Sequence, residues 1–113
     1  VNEDYARGYL AAIIDGEGYV VAPNNRGQRE VVVEMCDLEP ITVMKEACEV
    51  LGIRYRERGR PPRNGRRQTY AVSIASQQGL TALAQQVRLN VPTKRERLNA
   101  LLLTYKKAPY ALA

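Results

Sequence analysis

The sequence predicts an α+β fold in the order αββαββαα, with four antiparallel strands in a saddle-shaped sheet covered by helices on one face, and one domain over residues 1–113. Two observations predict it. Apolar residues recur at helical spacing in some segments and alternate in others, and turn-forming stretches separate the alternating segments in pairs. The length is that of one ordinary domain, able to bury a core without disulfides or metal staples.

Residues 4–15 place Tyr5, Tyr9, Leu10, Ile13 and Ile14 at helical spacing and form the first helix. Residues 18–23 and 29–36 are β-branched and alternating, and "NNRG" between them makes a hairpin turn. In the second strand Val31, Val33 and Met35 share one face, leaving Glu30, Val32, Glu34 and Cys36 on the other. "DLEPITVMKEACEVLG" opens on Asp37 as N-cap, accommodates Pro40 in its first turn and stops at Gly52. Residues 53–58 and 67–75 form a second hairpin across "GRPPRNG". Ile53 and Tyr55 alternate there with Arg54, Arg56 and Arg58, while Tyr70, Val72 and Ile74 alternate with Thr69, Ala71 and Ser73. Helices at 77–88 and 94–106 complete the chain, the last opened by a Thr93–Glu96 capping box.

Charge narrows the function. The formal net charge is +5, and seven arginines fall between Arg54 and Arg67 against Glu57 alone. Such a cluster is the footprint of a polyanion partner or a hairpin edge guarded against aggregation. The element order favours the partner, because the outward sets of four strands make one basic face that can lie along a DNA groove. Cys36 and Cys48 are too far apart for a C-x-x-C pair and sit among apolar neighbours, which predicts buried, reduced thiols of an intracellular protein, cytoplasmic or organellar. No apolar run approaches a membrane span.

"GYLAAIIDGEGYV", residues 8–20, ends a helix on Asp15 and Glu17. The carbonyl end of a helix carries partial negative charge, so acids there call for a positive partner. Within this stretch "LAAIIDGEG" resembles the LAGLIDADG motif of a homing-endonuclease family, matching at Leu10, Ala11, Ile14, Asp15 and Gly18 and departing conservatively at Ala12, Ile13, Gly16 and Glu17. The element order and the basic hairpin extend the resemblance over nearly the whole chain.

The resemblance implies a site-specific double-strand DNA endonuclease of the kind tied to intron or intein mobility, cutting a long, near-palindromic target. A single motif copy implies a homodimer, in which the Gly8, Ala12 and Gly16 stripe lets two copies of the first helix approach closely; the alternative is ordinary packing on the chain's own sheet. The two Glu17 side chains would then meet at the floor of the saddle and need a divalent cation between them. Oxygen ligands and the absence of histidine favour Mg²⁺ or Mn²⁺ over zinc; no small-molecule cofactor is implied. By the same resemblance Glu17 is the catalytic metal-binding acid and the Gly16 carbonyl a second ligand. Asp15 has a structural role at the helix end. Lys94 matches a lysine near the scissile phosphate, the alternative being an exposed first-turn lysine. Asp37 lies where relatives hold a metal-bound water, and N-capping explains it equally well.

For recognition the first hairpin offers Tyr19, Val21, Asn24, Asn25, Arg26 and Gln28, with Glu30, Val32 and Glu34 on its return strand. The second offers Arg54, Arg56 and Arg58, its turn Arg63, Arg66 and Arg67, and its last strand Thr69 and Ser73. Arginine and glutamine suit guanine and adenine edges, though many of these residues would only position phosphates. Two alternatives differ in chemistry. A maturase or DNA-binding regulator on the same scaffold would typically lose the acid at position 17, which is retained. An RNA-binding adaptor of unrelated fold would need exposed stacking aromatics, and the chain has no Phe or Trp.

Overall fold

The computed structural model describes residues 1–22 and 26–105. Its elements are α1 (Glu3–Glu17), β1 (Gly18–Val20), β2 (Val31–Met35), α2 (Leu38–Val50), β3 (Arg56–Arg60), β4 (Thr69–Ile74), α3 (Gln77–Gln86) and α4 (Pro92–Leu103). This is the expected order. The strands form one antiparallel sheet in the order β1-β2-β4-β3, so the two hairpins meet through β2 and β4.

Helix α1 starts where the Asn2 side chain accepts the Tyr5 N–H at 2.8 Å, which satisfies one of the amides a helix start leaves unpaired. Ala6, Leu10, Ile13 and Ile14 form its buried stripe. Leu10 and Ile14 are fully buried, each contributing about 1.5–3 kcal/mol of apolar burial. Tyr5 is exposed instead and stacks on Tyr9, whose hydroxyl donates to the Pro40 carbonyl at 2.8 Å and ties α1 to α2. The chain passes from α1 into β1 with no loop. Gly18 makes this possible, since a Cβ there would lie 2.7 Å from the Ile14 carbonyl oxygen.

The register places Val20, Val31, Val33, Val72 and Ile74 on the helix-covered face, where all are buried. The opposite face carries Tyr19, Val32, Glu34, Thr69, Ala71 and Ser73, with Arg56, Arg58 and Arg60 on β3. Period-two alternation had separated these sets correctly.

Four expectations are corrected. β1 ends at Val20 rather than residue 23, although the Val21 N–H still bonds the Glu30 carbonyl at 3.0 Å. Cys36 is exposed because it follows the last residue of β2; Cys48 is buried as expected, and burial pushes its thiol up to about 12. Asp37 is the N-cap of α2 by position, yet its side chain makes no capping hydrogen bond. Thr93 is not the cap of the last helix. That helix starts at Pro92, with Val91 as N-cap, because proline's fixed φ suits the first helical position. Ser76 does cap α3, accepting the Gly79 N–H at 3.0 Å.

Candidate functional site

The end of α1 is built from two directions. Its carbonyls receive Lys94, whose Nζ donates to the Ile14 oxygen at 2.9 Å and the Asp15 oxygen at 2.7 Å. This is the cation that the negative end of the helix calls for, and the chain supplies it itself; the sequence had suggested a metal ion. The Asp15 carboxylate reaches the other way and accepts the backbone N–H groups of Asn90 at 2.9 Å and Val91 at 3.0 Å. Those amides belong to the N-cap of α4 and the residue before it, so Asp15 anchors the turn that leads into α4. Its structural role is as expected, but its partners lie 75 and 76 residues away.

Glu17, the last residue of α1, is exposed and has no hydrogen bond or ion pair among the described residues. Lys94 therefore neutralises the carbonyls beneath Glu17 and leaves its carboxylate available. Asp37 is exposed just past β2, the strand paired with β1, at the end of the sheet where α1 enters. No group of three or more His, Cys, Asp or Glu converges on a metal-sized site among the described residues. At this end of the sheet the described residues thus offer two unpaired carboxylates, Glu17 and Asp37, and a complete oxygen set would need further donors.

Gly8, Ala12 and Gly16 are all exposed. A Cβ added at Gly8 or Gly16 would meet nothing within 4 Å, so the stripe does not pack on the chain's own sheet.

The open face of the sheet is a network rather than a bare row of arginines. Val21, Glu30 and Ser73, expected to be accessible there, are buried. The Glu30 carboxylate accepts from Arg58 Nη1 at 2.5 Å and from Ser73 Oγ at 2.8 Å. One position along, Glu34 Oε2 accepts from Thr69 Oγ1 at 2.5 Å and pairs with Arg60 Nε at 3.5 Å. Tyr19, Val21, Gln28 and Val32 complete a groove of about 220 Å³ over these rows. Arg54 and Arg56 flank a second hollow of about 310 Å³ beside Ser73. Arg63, Arg66 and Arg67 border a third hollow, about 820 Å³, together with Arg60, Cys36 and Thr69. Arg63 and Arg66 close the hairpin tip through reciprocal backbone hydrogen bonds of 3.1 and 2.7 Å, which leaves their side chains exposed. Arg26 is exposed beside the first hairpin turn; Asn24 and Asn25 lie outside the described residues. The sequence reading omitted Arg60, although it continues the alternation of Arg56 and Arg58.

A family profile described as a LAGLIDADG-like domain matches residues 4–88, which take in α1 to α3 and the whole sheet. The chain belongs to the LAGLIDADG family. Members are homing endonucleases and maturases; the family binds DNA and its members are generally nucleases. No curated protein matches the chain. In LAGLIDADG terms the motif occupies the end of α1, and α4 with Lys94 follows the matched segment. Among the described residues no helix is long and apolar enough to cross a membrane.

Proposed function

We propose that the chain is a metal-dependent, site-specific DNA endonuclease that works as a homodimer, each copy forming one domain over residues 1–113. The observation that carries this reading is Glu17: an exposed, unpaired carboxylate at the end of the motif helix, beside an exposed small-residue stripe. Two copies packed along Gly8, Ala12 and Gly16 would bring two Glu17 carboxylates together and join the two sheets into one saddle. Glu17 and the Gly16 carbonyl would hold Mg²⁺ or Mn²⁺, with Asp37 orienting water at the same end of the sheet. A divalent cation held there supplies the Lewis acidity for phosphodiester hydrolysis. Lys94 uses two of its three ammonium N–H donors on α1 carbonyls, and the third would serve a phosphate oxygen. The sheet face, with Tyr19, Val32 and the arginines, would take the DNA.

The test is cleavage of a library of duplexes with and without Mg²⁺. Metal-dependent cutting of both strands at a near-palindrome supports the reading. Tight, sequence-selective binding without cutting in any metal would move the chain to a DNA-binding regulator. Binding of structured RNA in preference to duplex DNA would move it to a maturase.

The dimer has its own test. Ala12→Leu should overpack the helix contact and weaken association by about 1–3 kcal/mol, read as a raised dimer dissociation constant in sedimentation. A wild-type chain that stays monomeric with and without DNA would remove the homodimer.

A further inference from the structure

Of the seven arginines between Arg54 and Arg67, only Arg58 and Arg60 are paired with carboxylates among the described residues. Their pairings repeat one pattern. A glutamate in or just before β2 accepts from a hydroxyl on the central strand β4 and forms an ion pair with an arginine on the edge strand β3: Glu30 with Ser73 and Arg58, then Glu34 with Thr69 and Arg60. The second row is closed by the Thr69 hydroxyl, which also accepts the Arg60 backbone N–H at 3.0 Å. Each arginine is therefore held at one edge of its guanidinium while its side chain stays more than half exposed.

Resting on the reading that this face binds duplex DNA, we propose that Arg60 and Arg58 are its guanine readers, aimed by Glu34 and Glu30 as positioning residues. Arg60 turns its Nε side toward Glu34 as an ion pair at 3.5 Å and keeps Nη1 and Nη2, the two-donor edge that matches guanine O6 and N7. Arg58 spends Nη1 on Glu30 and keeps Nε and Nη2, the other two-donor edge. A paired guanidinium is also partly neutralised, which lowers its pull toward phosphate and favours an uncharged base edge. Arg54, Arg56, Arg63, Arg66 and Arg67 have no such carboxylate and suit phosphates. Arg58 and Arg60 are two residues apart on one strand, about 6.6 Å, and a base step along one DNA strand is about 3.4 Å. The two guanines should therefore lie two base pairs apart in each half of the target.

The experiment is selection of bound duplexes from a randomised library by the full-length chain in metal-free buffer, followed by sequencing. Wild type should enrich guanine at two positions separated by one base pair in each half-site. Arg60→Ala should cut the preference at one of them by roughly 5- to 150-fold, the range for a lost bidentate contact, and Arg58→Ala should act on the other. Glu34→Gln should weaken the same position as Arg60→Ala. Thr69→Val should do likewise, and Thr69→Ser should restore it. A general loosening of the fold would instead blur every position, which separates aiming from stability. If Glu34→Gln leaves the Arg60 position at wild-type preference, or blurs all positions alike, the aiming role is wrong. If wild type enriches a motif that neither arginine variant alters, the readers are other residues while the DNA-binding reading stands. If wild type retains duplexes but enriches no motif, the guanine readers fall alone; if it retains no duplex, both fall.

Discussion

Glu17→Gln is expected to reduce single-turnover cleavage of a bound duplex by at least about 10²- to 10³-fold, the cost typical of removing one preorganised electrostatic group from a reacting centre. The amide keeps the shape of the side chain and removes the charge that makes its oxygen a ligand for a hard cation. Folding should be unaffected, because Glu17 is exposed and bonds to nothing among the described residues. Binding should survive and strengthen in metal-free buffer, since a negative charge near the phosphates is lost. Equal cleavage rates for wild type and variant at saturating protein would remove Glu17 from the metal site.

Replacing Arg63, Arg66 and Arg67 together by alanine should lower the slope of log affinity against log salt by about 2.7 per chain, about 5.4 for the proposed homodimer, at about 0.9 per lost phosphate contact. The three guanidinium groups stand exposed at the hairpin tip, around a hollow of about 820 Å³. They make no carboxylate pairs among the described residues that would compete for them. Equilibrium titration over a range of salt is the measurement. An unchanged slope would mean that these arginines only keep a hairpin edge soluble.

Periodicity carried most of the fold into the sequence. Alternation assigned Val31, Val33 and Val72 to one face and Val32, Ala71 and Ser73 to the other, as the register has them. It could not tell depth: Ser73 lies on the open face yet is buried, because an arginine and a glutamate from neighbouring strands close over it. The start of α4 was misread where two signals competed, and the fixed φ of Pro92 prevailed over the Thr93–Glu96 pattern. At the candidate site the acid end of α1 was legible from one short motif. Its cation was not, because Lys94 meets Ile14 and Asp15 across 80 and 79 residues, a contact no local pattern announces.

That separation also sets an order in time. The start of α1 is held by Asn2 at once, while its far end waits for Asn90, Val91 and Lys94. Contacts between such distant residues form slowly, because a long loop must close before they reward it. The end of α1 that carries Glu17 should therefore be fixed late as the domain folds. On the proposed endonuclease reading, that end of the helix would be the last part of the site to be set.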